Sequence, residues 1–187
     1  PGAVIGAIPQ DLKFRGEETT AEVGDNNKIR ENVTINRGTA AKGRTKVGSG
    51  NLLMESVHVA HDATVGDDCI IGNGTKLAGE IVVDDHAIIS ANVLMHQFCR
   101  VGGYTMVGGG TRFSQDVLPY SMCAREPAAY CGLNTVGLRR RGFSNELIEN
   151  IHTTYRIILQ SGLQLAEALQ KVREEVPASP ERDYIID

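Results

Sequence analysis

Large apolar side chains recur at every sixth position from Val47 to Phe113, through Leu53, Val59, Val65, Ile71, Leu77, Val83, Ile89, Met95, Val101 and Val107. A second beat follows four residues later and carries small or β-branched side chains: Val57, Ala63, Cys69, Thr75, Ile81, Ala87, Val93, Cys99, Thr105, Thr111 and Val117. A period of six matches neither the 3.6 of an α-helix nor the alternation of a simple strand. It is the signature of a hexapeptide parallel β-helix, in which three hexads close one triangular coil and residue i+18 lies over residue i. Coils of this type wind left-handed, an exception to the usual right-handed crossover. They stack at about the 4.8 Å spacing of paired strands.

Val23, Ile29, Ile35 and Ala41 continue the phase towards the N-terminus, so the coil is expected to begin early. The polar stretch from about Ile8 to Thr20 reads as a protruding loop. Pro1-Gly2-Ala3-Val4-Ile5-Gly6 is already in phase, as expected of a solenoid whose earlier coils lie upstream. The beat ends after Val117, and Pro119 and Pro127 flank a stretch expected to be irregular. From Ser144, a predicted N-cap, Leu147, Ile148, Ile151, Tyr155, Ile158 and Leu159 recur at helical spacing. Ser161-Gly162 interrupts them, and Leu165, Ala168, Leu169 and Val172 predict a second helix ended by Pro177. The predicted organisation is an all-β solenoid over residues 1–118, a connection over 119–143, and a small, incomplete α-helical C-terminal region over 144–187.

Composition narrows the function. A formal net charge of -4 carries no nucleic-acid signature, and no apolar run is long enough to span a membrane. Aromatic residues make up only 5% of the chain, as suits a core of thin coils. Cys69 and Cys99 fall on the inward beat and read as buried thiols. Cys123 and Cys131 complete the set. With no CxxC pair and no secretory segment, the reading is a reducing, cytoplasmic setting.

The candidate chemistry lies on one corner. The residue after each large apolar one is usually Gly, Ala or Ser, and His96 breaks that rule. Stacking by eighteen puts His61, Gly79 and Gln97 on one line and Asp62 under Glu80. Corners need turn formers, not titratable groups. An imidazole is the best neutral-pH general base, and an adjacent carboxylate orients it. A glycine one coil away leaves its N–H open to an oxyanion. No serine or cysteine accompanies His61, so direct attack by a substrate hydroxyl fits better than a covalent acyl-enzyme. His58 reads as a surface or subunit-interface histidine; His86 and His152 carry no predicted role. Arg139-Arg140-Arg141 would attract phosphate, and Lys42, Arg44 and Lys46 an acidic partner.

Five segments together carry a specific resemblance: Ile8 to Lys13, Ile29 to Thr39, His58-Val59-Ala60-His61-Asp62, His96-Gln97-Phe98-Cys99, and Gly137-Leu138-Arg139-Arg140-Arg141-Gly142-Phe143-Ser144. Over nearly the whole chain they resemble the UDP-N-acetylglucosamine 3-O-acyltransferases that open lipid A biosynthesis. The resemblance implies a homotrimer with its active sites in the clefts between neighbouring β-helices. His61 would take the proton from the sugar 3-hydroxyl as it attacks the thioester of a 3-hydroxyacyl-acyl carrier protein, supported by Asp62, with Gly79 N–H at the oxyanion. On the substrate side it implies Gln10, Asp11, His96 and Gln97 for sugar or pantetheine, with Lys13, His58 and Glu80 among the substrate-binding residues. It implies Asn134, Arg140 and Arg141 for the nucleotide, and Gly109 for acyl length. Glu80 stands where better-known members carry histidine, and Val136 where they carry glutamate. No cofactor is expected beyond the carrier's phosphopantetheine.

Besides a coenzyme-A-dependent acetyltransferase, whose segment matches are poorer, two other enzymes share the scaffold. One is the paralogous UDP-3-O-acylglucosamine N-acyltransferase, disfavoured by the helical end after Arg141. The other is a zinc enzyme of the γ-carbonic anhydrase type, for which His58, His61, His86 and His96 are the available ligands at a spacing that does not match. A purely structural solenoid is the third reading, and it predicts that His61→Ala changes no activity.

Overall fold

The computed structural model describes residues 1–187. Short strands stack into three sheets of six, five and seven strands; the coils pair in parallel as the chain visits each sheet in turn. Lys76 pairs with His58 and Leu94 with Lys76, an eighteen-residue step between coils. The same step joins Thr64 to Val82 and Ile70 to Ile88 in the other two sheets. Every member of the large beat from Val47 to Phe113 is buried, as is every member of the second beat from Val57 to Val117. The inward strand positions and the inward turn positions thus supply one continuous apolar column. Cys69 is fully buried, and desolvation pushes its thiol up to about 12.

Each corner turns through a left-handed residue. Asn26, Asn32, Ser56, Asp62, Asp68, Glu80, His86, Asn92, Phe98 and Tyr104 all have φ between 53° and 69°, at the same place in their hexads. Asn and Asp tolerate this conformation, which explains their recurrence. Glu80 and Phe98 do not favour it, yet both stand in the column above Asp62.

The eighteen-residue rule fails in the first coils. Val4 pairs with Thr34, thirty residues on, and Thr34 with His58, twenty-four on. Two insertions account for this, residues 8–19 and residues 37–43, which lengthen their coils by two hexads and one hexad. Because each adds whole hexads, the six-residue phase runs through unbroken while the chain leaves the coil. Ala41 therefore falls on the beat but lies exposed in a loop, and its assignment to the core is corrected.

The stretch 119–143 is also more ordered than the pattern implied. It holds strands Ser121–Ala124 and Ala129–Leu133 and a helix, α1, at Thr135–Arg140. Met122 pairs with Met106 at a step of sixteen, so the coil continues after its phase has slipped and periodicity alone loses it.

The chain divides into two compact units, 1–132 and 133–187. In the second, Ser144 caps α2 (Asn145–Gln160) by accepting the Leu147 N–H at 3.1 Å. α3 (Leu165–Glu175) packs on α2 through Ala168, Val172 and Ile157. A further helix, α4 (Pro180–Ile186), went unread in the sequence although Ser179-Pro180 is a good start signal: Ser179 accepts from Arg182 N–H and proline stands at the first helical position. No helix is long and apolar enough to cross a membrane.

Candidate active site

The corner between the first and second sheets gathers the residues of interest. His61 follows the strand His58–Val59, and Gly79 and Gln97 occupy the same place in the next two coils. Backbone bonds tie the column together: Glu80 N–H donates to the His61 carbonyl at 3.0 Å, and Phe98 N–H to the Gly79 carbonyl at 3.2 Å.

Asp62 is fully buried, an unusual place for a carboxylate. Its backbone N–H donates to the Thr45 hydroxyl at 2.8 Å. One carboxylate oxygen, Oδ1, accepts the Thr39 N–H at 2.9 Å; the other, Oδ2, accepts the Thr39 hydroxyl at 2.6 Å and meets His61 Nδ1 at 2.8 Å. Burial works against the charge, but the hydrogen bonds from Thr39 and His61 outweigh it and hold the Asp62 carboxyl below its usual value. An ionised carboxylate only accepts, so Nδ1 carries a proton, and in the neutral imidazole the lone pair is then on Nε2. That nitrogen faces the neighbouring coil, where an ideal β-carbon on Gly79 would lie 2.7 Å from it. The His61 side chain is 16% exposed, enough to meet a substrate. Neither strand pairing nor turn bonding engages the Gly79 N–H.

Around this dyad, His58 Nδ1 lies 2.7 Å from the Thr34 hydroxyl. Burial, then the nearby Lys76 and His61, push the His58 imidazole below its ordinary value, favouring its neutral form. Lys42 Nζ stands 3.8 Å from Glu80. His96, the break in the small-residue rule, is exposed with Nδ1 3.1 Å from the Gln97 carbonyl.

Other expected residues fall elsewhere. Gln10, Asp11 and Lys13 lie on the 8–19 loop, where Asp11 accepts the Lys13 N–H at 2.9 Å. Gly109 is on a different corner, where a β-carbon would come within 3.3 Å of the Ala91 carbonyl. Asn134 is the N-cap of α1, its side chain accepting from Gly137 N–H at 3.2 Å; Arg140 and Arg141 are exposed at the other end of that helix. Thr39, Thr45 and Lys42 were not singled out for this corner from the sequence. Thr39 and Lys42 lie in the one-hexad insertion and Thr45 just beyond it; Thr39 and Thr45 keep the phase of the second beat, which marks them as inward but not as neighbours of Asp62. A cavity of about 470 Å³ under the last coil, lined by Phe113, Val117, Cys123 and Tyr130 among others, contains none of these residues. The chain has no cluster of three His, Cys, Asp or Glu side chains able to hold a metal ion.

Comparison with known proteins agrees with this architecture. Residues 116–187 match the second domain of UDP N-acetylglucosamine O-acyltransferase, and residues 44–79 match the bacterial transferase hexapeptide repeat. The whole chain is 62% identical to the acyl-(acyl-carrier-protein)–UDP-N-acetylglucosamine O-acyltransferase of Chlorobaculum tepidum, spanning 71% of its length. The crystal structure of a UDP-N-acetylglucosamine acyltransferase from Bacteroides fragilis superposes with a TM-score of 0.98 at 74% identity, over all of this chain and 73% of that one. That of the UDP-N-acetylglucosamine O-acyltransferase from Moraxella catarrhalis gives 0.95 at 44% identity, again over all of this chain and 73% of the other. With these relatives, the fold is a left-handed parallel β-helix followed by a short helical region.

Proposed function

The chain belongs to the UDP-N-acetylglucosamine O-acyltransferase family, and from that premise we propose that it transfers a 3-hydroxyacyl chain from acyl carrier protein to the 3-hydroxyl of UDP-N-acetylglucosamine, the first step of lipid A biosynthesis. The observation that carries the mechanism is the buried Asp62 bonded to His61 Nδ1 at 2.8 Å, which leaves Nε2 as a base. His61 Nε2 takes the hydroxyl proton as the sugar oxygen attacks the thioester carbonyl carbon. The carbonyl π pair moves onto oxygen, where the Gly79 N–H donates to it. In related chemistry one such donor is worth about 3 to 4 kcal/mol of transition-state stabilisation. Collapse restores the carbonyl, breaks the carbon–sulfur bond and expels the pantetheine thiolate, which takes the proton back from His61. No covalent acyl-enzyme is needed.

On the substrate side the proposal assigns His58, Glu80, His96 and Gln97 to the rim around the base, with Gln10, Asp11 and Lys13 on the 8–19 loop contacting sugar or pantetheine. Gly109 sets the space for the acyl end, and Asn134, Arg140 and Arg141 face the nucleotide. The active assembly is a cytoplasmic homotrimer. Its support is a stripe of outward apolar side chains, Leu52, Ile70, Ile88, Met106 and Met122, up one sheet, where a soluble surface would be polar.

The test incubates purified protein with UDP-N-acetylglucosamine and a series of 3-hydroxyacyl carrier proteins, following product by mass. Transfer by wild type and its loss in His61→Ala are expected. Undiminished transfer by His61→Ala would remove the mechanism. The same series reads the preferred acyl length.

A further inference from the structure

The insertion at residues 37–43 is not required by the coil. Later coils pass from the first sheet to the second within one hexad, as from Val59 to Val65 or Leu77 to Val83. Here the chain spends one hexad more, and the loop so formed is firmly anchored. Gly43 N–H donates to the Thr39 carbonyl at 2.7 Å, Gly38 N–H to the Thr20 carbonyl at 3.0 Å, and the Thr19 hydroxyl to the Gly38 carbonyl at 2.6 Å. A β-carbon on Gly38 would fall 2.2 Å from the Arg44 nitrogen, so only glycine lets the loop close this tightly on its own base.

What the loop delivers is Thr39, 5% exposed and placed against Asp62. Three threonines of the inward beat give their hydroxyls to backbone carbonyls, Thr75 to Ser90, Thr105 to Leu118 and Thr111 to Gly108, and Thr45 accepts the Asp62 N–H. Thr39 gives its hydroxyl to a carboxylate oxygen and its backbone N–H to the other, while the Ala41 N–H occupies an acceptor position of that hydroxyl at 3.2 Å. The hydroxyl proton therefore has one partner.

We infer that Thr39 is a positioning residue for the transfer reaction: by gripping both oxygens of Asp62 it fixes the plane of the carboxylate, and with it the orientation and tautomer of the His61 ring. The inference rests on the reading of His61 as the base. A base must sit within hydrogen-bond reach of the proton it removes, and displacements of an ångström carry large rate penalties. The loop thus serves the corner chemistry and not the stacking of the coil.

Thr39→Val deletes the hydroxyl, keeps the N–H and nearly preserves the volume. Its kcat is expected to fall about tenfold or more, with KM for both substrates within about twofold of wild type. Thr39→Ser restores kcat, and Thr39→Cys, a weaker donor, falls between. In an Asp62→Asn background Thr39→Val costs nothing further, because the partner through which it acts is already altered. Wild-type kcat in Thr39→Val, or a loss that adds in full to that of Asp62→Asn, overturns the inference. If Thr39→Val does not fold, wild-type kcat in Thr39→Cys overturns it instead. His61→Ala separates the two levels: activity there removes the base reading itself, whereas inactive His61→Ala beside wild-type-like Thr39→Val removes only the role of Thr39.

Discussion

The imidazole of His61 occupies the space that a side chain on Gly79 would need: an ideal β-carbon there lies 2.6 Å from Cε1 and 2.7 Å from Nε2. Gly79 has no left-handed φ to justify it as a turn former, so its reason is the ring beside it. Gly79→Ala must push the imidazole off the line set by Asp62 or shift the backbone N–H. We expect kcat to fall by about a hundredfold or more, with the thermal midpoint lowered by only a few degrees. Steady-state kinetics beside a melting curve check this, and a variant with normal kcat would mean that the ring has another productive position.

The buried carboxylate of Asp62 makes stability depend on pH with a definite sign. Its folded value lies below that of the unfolded chain, because the Thr39 and His61 hydrogen bonds outweigh the opposing desolvation. The stabilisation is therefore fully present above the unfolded carboxylate range, near pH 4, and is lost as pH falls through the folded value. Wild type should exceed Asp62→Asn in urea midpoint by a constant margin from pH 5 to 7, and the margin should shrink below pH 4. A margin that widens in acid would place the Asp62 shift in the opposite direction.

Much of this molecule was legible in its sequence for a simple reason: each hexad repeats the same inward and corner positions, so arithmetic becomes geometry. His61, Gly79 and Gln97 share a corner column because the register between their coils is eighteen residues. The same arithmetic hid Thr39. An insertion of one whole hexad leaves the beat intact, and Ala41 keeps the phase while standing in solvent. The strand at Ser121–Ala124 was missed for the opposite reason, since a step of sixteen breaks the phase while the pairing continues.

That contrast is measurable at two positions of one phase. Leu53 is fully buried in the coil, so Leu53→Ala should cost about 2 to 5 kcal/mol through lost burial and a residual cavity. Ala41→Glu, on the same beat in an exposed loop, should change stability by less than about 0.5 kcal/mol. Denaturant midpoints at unchanged slope would show both. A large effect at Ala41 would return that residue to the core.

Phe98 is the least economical residue on the active corner. It is 63% exposed, holds φ at 69°, and stands in the column above Asp62 and Glu80, next to Gln97. An aromatic ring gains little from water and a left-handed backbone disfavours any side chain with a β-carbon other than Asn or Asp. Strain of this kind concentrates where a ligand needs the side chain. Replacing it with the residue that other corners use should therefore separate folding from function. Phe98→Asn is expected to stabilise the protein by up to about 1 kcal/mol, as Asn26, Asn32 and Asn92 already hold the same conformation. It should also raise KM for the acyl carrier substrate or the sugar nucleotide several-fold. Denaturation and steady-state kinetics on the one variant read both effects, and a stabilised protein with unchanged KM values would leave the exposed ring without a role at the site.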